Sequence, residues 1–343
     1  MADTNKPVGV HLVGSIPFDT CEQVFSEIAA TLPGYVRRIP DGETGERSNW
    51  VGWQVPKLLH NPNLEMTEVD EAYTGRRLIR LREGADAHDR GLADLGYASE
   101  AQRSFEAFQS QVEAGEIPEG CRFQVCLPTP LAPTHLFIHP SLQAEFEAQY
   151  ERKMLEELEQ VLACIPRDRL SIQWDTAVEF ALLEGVMPTY IEDVEAGVVE
   201  RLVRLGDRVP EPVELGFHLC YGDSGHRHFC EPADASKLVF VANAVASGVS
   251  RPINWIHLPV PRERDDDHFF RPLEDLRLEA ATELYLGLIH HTDGAQGANR
   301  RIDAAARYCH GFGVATECGF GRRPKDTLAR LLEIHTEVSE PFG

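Results

Sequence analysis

Short apolar runs bounded by turn residues alternate with longer stretches of three- and four-residue periodicity along almost the whole chain. The runs at 9–16, 35–40, 122–127, 170–174, 213–220, 253–258, 283–289 and 313–318 have the length and composition of strands. Helical patterns lie between or after most of them, at 20–31, 140–164, 233–247, 299–309 and 325–338. Over 140–164, Leu, Phe, Tyr and Met recur among Glu and Lys at amphipathic spacing. Gly248 and Gly313 read as helix stops before strands. Eight strands alternating with helices predict a parallel sheet, and eight is the number that closes a TIM barrel.

One interval breaks the rhythm. Residues 42–120 form a connection far longer than usual. It contains helical patterns at 70–85 and 99–114 and two tryptophans, Trp50 and Trp53. The expectation is therefore a single α/β barrel over residues 1–343, with a partly helical insertion, 44–120, after strand two that covers the barrel mouth.

Composition narrows the class. At 343 residues and 43% hydrophobic, the chain can bury a large core. It carries 33 Lys+Arg against 55 Asp+Glu, net −22, a balance that repels nucleic acid and anionic membranes. The eight scattered cysteines are too sparse for a disulfide scaffold. The first residues lack the basic and apolar regions of a signal peptide, and no apolar run approaches the roughly 20 residues that span a bilayer. These features predict a soluble, reduced, cytoplasmic protein.

In such barrels the chemistry lies at the C-terminal ends of the strands. Those ends hold Ser15, then Asp41 with Glu43, then Asp175 with Glu179. His218 and Cys220, His257, His290 with His291 and Asp293, and finally Cys318 follow. The opposite ends carry no comparable set, which argues for an enzyme. Two residues apart on a strand, His218 and Cys220 face the same way. With Cys318 they offer the imidazole and thiolates that Zn²⁺ prefers. The plain alternative is burial for packing, since cysteine is among the most buried side chains.

The segments Val13-Gly14-Ser15-Ile16-Pro17, Asp41-Gly42-Glu43 with Arg47, and Gln173-Trp174-Asp175 with Glu179 occur in that order. His218-Leu219-Cys220-Tyr221 and Cys318-Gly319 with Arg322 follow. In these pieces the chain resembles the cobalamin-independent methionine synthase family, specifically its C-terminal barrel, within the grouping that includes uroporphyrinogen decarboxylase. The resemblance implies a TIM barrel in which zinc, held by His, Cys, a carboxylate and a second Cys, binds a thiol that attacks a folate-borne methyl group. Carried over, His218, Cys220 and Cys318 are ligands. Where the family's glutamate ligand follows strand six, this chain has His257, with His290 as its rival for the fourth position and a candidate catalytic residue. A site without that carboxylate is neutral, which argues against methionine synthesis; relatives that alkylate coenzyme M resemble it. The resemblance also gives Asp175 and Glu179 the task of holding the amino group of an amino-acid thiol. It leaves Ser15, Asp41, Glu43, Trp174 and Arg322 as substrate-binding candidates.

Each has a bland counterpart. Asp41 and Glu43 could shape an Asp-Gly turn, Ser15 could cap a helix, and Arg322 with Arg323 could be a surface pair. Trp50 and Trp53 serve equally to stack on a ligand or to pack a lid. His226, His228 and Cys230 form a second cluster that reads as a rival metal site or an exposed loop, and 262–268 as a solvated loop or a flap. The sequence supports a zinc-dependent methyl or alkyl transferase acting on a small thiol. A zinc-dependent lyase or hydrolase, and a metal-free decarboxylase, remain the other readings.

Overall fold

A computed structural model of the chain describes residues 6–69, 76–85, 92–223 and 227–343. Nine strands are present among them: β1 (Arg38–Pro40), β2 (Leu64–Met66), β3 (Ile79–Leu81), β4 (Arg122–Pro128), β5 (Leu170–Thr176), β6 (Glu214–Leu219), β7 (Trp255–Pro259), β8 (Glu283–Ile289) and β9 (Phe312–Thr316). The helices are α1 (Cys21–Thr31), α2 (Gln54–Leu59), α3 (Tyr97–Glu113), α4 (Leu131–Phe137), α5 (Pro140–Cys164) and α6 (Val178–Leu183). They continue with α7 (Val194–Gly206), α8 (Ser236–Gly248), α9 (Asp267–Phe270), α10 (Gly294–Ala305) and α11 (Leu328–Val338). Seven strands pair in parallel in the order β1-β4-β5-β6-β7-β8-β9, with helices around them. This is the α/β TIM-barrel-like architecture expected from the alternation.

The first expected strand differs. Residues 9–16 form no ladder; Val10 makes an isolated bridge to Val314. Its N–H donates to Tyr35 O (2.8 Å), and the His11 N–H donates to Val314 O (2.9 Å), so the segment lies between the two edges of the sheet. Farther along, side chains replace the ladder: Gln124 Nε2 donates to Leu12 O (3.0 Å) and Gln173 Nε2 to Val13 O (2.6 Å). The sheet curls round to this seam.

The long interval also departs from expectation. Of the helix expected over 70–85, residues 70–75 lie outside the described residues, and 79–81 are strand β3, antiparallel to β2. The alternation of Ile79 and Leu81 with Arg80 and Arg82 is a period of two, and sheet pairing wins there. Helix α3 packs on α1 and α5 in the outer ring, as an ordinary crossover helix would. Phe25, Phe108 and Phe123 meet between α1, α3 and β4 with centroids 5.4–6.2 Å apart. The α3 N-terminus lacks a cap of its own, with Gly96 at φ +89°. Glu157 of α5 caps it, accepting from Gly96 N (2.8 Å) and Ala98 N (2.6 Å). Among the described residues no helix is long and apolar enough to cross a membrane.

Side chains alternate across each strand. Trp174, Phe217 and Ile256 share one register row and Asp175, His218 and His257 the next. The barrel interior is polar in tiers. At its floor, buried Arg38 pairs with Glu214 and with Glu283 (2.7 Å) and lies over the Trp255 ring at 4.2 Å. The middle tier holds His11, Gln124, Gln173 and Trp255, and the top tier is the candidate site.

Candidate metal centre

His218 lies on β6, Cys220 one residue beyond it, and Cys318 two residues beyond β9. One ligand atom from each falls within 4.8 Å of the others, and the two sulfurs are 3.7 Å apart. The protonation of the imidazoles follows from their partners. His257 Nε2 faces the carbonyl of Thr316 at 3.0 Å, and a carbonyl only accepts, so this nitrogen carries the proton. Burial depresses the His257 pKa to about 3, leaving it neutral with a bare Nδ1. His218 Nδ1 sits 2.7 Å from that nitrogen and must donate to it. Burial, then the neighbouring His257, hold His218 neutral as well. Its Nε2 is consequently an unprotonated lone pair, buried and without a partner. A buried imidazole lone pair next to two thiols has the donor chemistry of a zinc site.

His257 therefore has another place than the fourth ligand expected from sequence. Both its nitrogens are engaged, and it orients His218 from behind. His290 is engaged elsewhere too: its Nε2 bonds Val260 O (2.9 Å) and its Nδ1 faces Glu317 at 3.5 Å. The described residues supply three convergent donors, and in catalytic zinc sites three protein ligands leave one position for substrate.

Beside these donors stands a carboxylate pair. Asp175 is buried, and burial followed by the charge of Glu43 pushes its pKa well up, partly offset by a hydrogen bond from Gln173 Nε2 (2.8 Å). Glu43 is raised to about 7 by burial, against the pull of Arg47 and Arg322. Its backbone is left-handed at φ +49°, an uncommon conformation for a side chain of this size. The strain is held by the Asp41 carboxylate, which accepts from Glu43 N (3.0 Å) while gripping Arg47 at 2.6 and 3.3 Å. Trp50 lies close enough to Asp175 to oppose the rise in its pKa.

No family model matches the chain, and no curated protein matches it. Solved structures do. A candidate vitamin-B12-independent methionine synthase from Listeria monocytogenes superposes with TM-score 0.55 and 14% identity, covering 98% of this chain and 99% of that one. The B12-independent methionine synthase from Shewanella sp. W3-18-1, in complex with selenomethionine, gives 0.59 and 13% over 97% of each. A methyltransferase from Methanosarcina mazei gives 0.54 and 10% over 98% and 95%. The chain has the fold of the cobalamin-independent methionine synthases.

Within that methionine-synthase fold the remaining candidates separate. Trp174 shares its register row with Phe217 and Ile256, on the face opposite to Asp175, and is fully buried. Asp41 is committed to Arg47 and the turn, which holds it below the usual carboxylate range against the cost of burial. Ser15 Oγ accepts from Gly321 N (3.3 Å), and Ser15 O from Phe320 N (2.9 Å), so this serine seats the loop that follows Cys318. A Cβ at Gly319 would fall 2.4 Å from Ser15 Oγ, which explains the glycine. Arg322 is half-exposed, 3.9 Å from Asp223, and close enough to act on both Glu43 and Cys318. Trp53 packs edge-on against Tyr97 at 4.9 Å.

Glu179 is fully buried in the first turn of α6, where it takes the Thr129 hydroxyl hydrogen bond and leaves Oε2 without a partner. Burial raises its pKa to about 7. The folded state thus binds a proton on Glu179 that the unfolded state gives up above the ordinary carboxylate range. Stability from this group is full below that range and falls as pH rises through about 7. Glu179→Gln is expected to melt about 2 °C above the parent at pH 8, with the gap vanishing near pH 4.5, in paired thermal melts.

Two participants escaped the sequence reading. Glu317, between Thr316 and Cys318, faces His228 Nε2 at 3.2 Å and His290 Nδ1 at 3.5 Å. Burial opposes the His228 imidazolium, yet Glu317 and Glu231 raise it to about 9. His228 is thus an ion-pair partner, while His226 of the same cluster lies outside the described residues. The 262–268 loop is tied by ion pairs, Arg264 with Asp266 (2.7 Å) and Arg307 with Asp267 (2.6 Å). Gln173 is the second participant; its spacing of two from Asp175 was the available signal.

Proposed function

We propose that the protein is a zinc-dependent transferase that moves a methyl or larger alkyl group onto a small thiol carrying an ammonium group. The observation that carries this reading is the buried, unpartnered Nε2 of His218 beside two thiols 3.7 Å apart, next to the Glu43–Asp175 pair. His218, Cys220 and Cys318 would hold the metal. Zinc in such a set lowers the pKa of a bound thiol and keeps it as the thiolate. The neighbours in fold named as methionine synthases and a methyltransferase support the same class.

The chain's own residues do the rest. Glu43, a carboxylate above about pH 7, and the neighbouring Asp175 carboxyl suit an ammonium group better than an anion. In the transfer the thiol sulfur forms a new bond to the alkyl carbon, the donor's bond to that carbon breaks with its electron pair, and the thiol proton leaves. A reducing, cytoplasmic setting fits, because Cys220 and Cys318 must stay free of each other.

The test is metal analysis followed by titration of cobalt-substituted protein with thiols, read by thiolate-to-cobalt absorption. About one zinc per chain and entry of 2-aminoethanethiol more tightly than 2-mercaptoethanol are expected. Because Glu43 carries charge only above its pKa of about 7, the preference should grow roughly tenfold between pH 6 and 8 and flatten in Glu43→Gln. A protein without metal would favour the decarboxylase reading; metal that takes oxygen ligands but no thiol would favour the lyase or hydrolase.

A further inference from the structure

Gln173 has every hydrogen-bonding position of its amide taken. Its Oε1 lies 2.8 Å from His11 Nε2 and 3.3 Å from Trp255 Nε1. Its Nε2 lies 2.6 Å from Val13 O and 2.8 Å from Asp175 Oδ1. Longer contacts reach Gln124 Nε2 at 3.5 Å and Cys126 Sγ at 3.6 Å. An indole N–H can only donate, so the atom facing Trp255 is the amide oxygen and the amide cannot be turned over. Both amide protons are thereby assigned. One goes to the backbone of the N-terminal segment and the other to the carboxyl of Asp175.

We infer that Gln173 is a positioning residue: the amide that ties residues 11–14 into the barrel also sets the orientation in which Asp175 meets the substrate. The side chain is fully buried, as is Trp255 beneath it, and His11 lies against the rings of Trp255 and Tyr285 at 5.7 and 5.1 Å. Such a column has little freedom to adjust. Seating of the N-terminal segment and alignment of Asp175 are then one event, because one rigid amide serves both. The binding consequence rests on the reading of Asp175 as an ammonium partner; the orientation of Asp175 does not.

The experiment uses the full chain, substituted with cobalt, as Gln173→Met and Gln173→Glu. Methionine keeps the volume and removes every hydrogen bond. Glutamate still accepts from His11 and Trp255 but cannot donate to Val13 O or Asp175, and it remains available if the methionine variant does not fold. Crystal structures of the variants should show the Asp175 carboxyl rotated from its present position. The Kd for 2-aminoethanethiol should rise about tenfold and that for 2-mercaptoethanol change less than about twofold. In an Asp175→Asn background, Gln173→Met should add nothing further. An unmoved Asp175 carboxyl, or equal weakening of both thiols, overturns the inference. A rotated carboxyl in a protein that never distinguished the two thiols would instead sink the ammonium reading and leave the positioning role standing.

Discussion

Cys318→Ala should lower zinc affinity by roughly 10²–10⁴-fold while leaving the far-ultraviolet circular dichroism unchanged. The magnitude follows from sharing ~10–16 kcal/mol of site binding energy among its three ligands, about 3–5 kcal/mol each. The fold should survive because Cys318 lies past the last residue of β9, on a loop held independently through Ser15. Competition against a chromophoric chelator measures the effect. Affinity within threefold of the parent would remove Cys318 from the site, and with it the convergence on which the proposed chemistry depends.

His257→Phe should weaken zinc binding about 10–100-fold without removing a ligand. The phenyl ring fills most of the imidazole volume but accepts nothing, so the His218 Nδ1–H loses its partner and Thr316 O loses its donor. The His218 ring would then pay an unpaired buried N–H to keep Nε2 facing the thiols, or turn away. His257→Gln, whose amide oxygen can accept from His218, should recover part of the loss. A fully parental affinity in His257→Phe would show that packing alone orients His218. The chelator competition reads both variants, and no activity assay is needed.

Much of this was legible in the sequence because strand ends are local. The i, i+2 spacing places His218 and Cys220 on one face whatever surrounds them, and seven of the eight expected strands appear with ends moved by no more than three residues. The seam was not legible. Residues 9–16 have the apolar run of a strand, but whether backbone or side chains satisfy Leu12 O and Val13 O depends on Gln124 and Gln173, more than a hundred residues away. The role of His257 was hidden for the same reason: its tautomer is set by Thr316 O from another strand. Trp174 could have been placed correctly, since the residue next to an inward-facing Asp175 on a strand must face outward. Over 79–82, a period of two was hidden by the charged residues between.

The seam has a consequence for synthesis. The segment around Val10 docks against β9, and the other six strands of the sheet lie between them along the chain. Closing so long a loop is entropically costly, and the seam cannot close until β9 has been synthesised. A nascent chain that stops short of β9 leaves the run around Val10 without this partner and lacks Cys318. The three convergent donors therefore assemble only after β9 is in place.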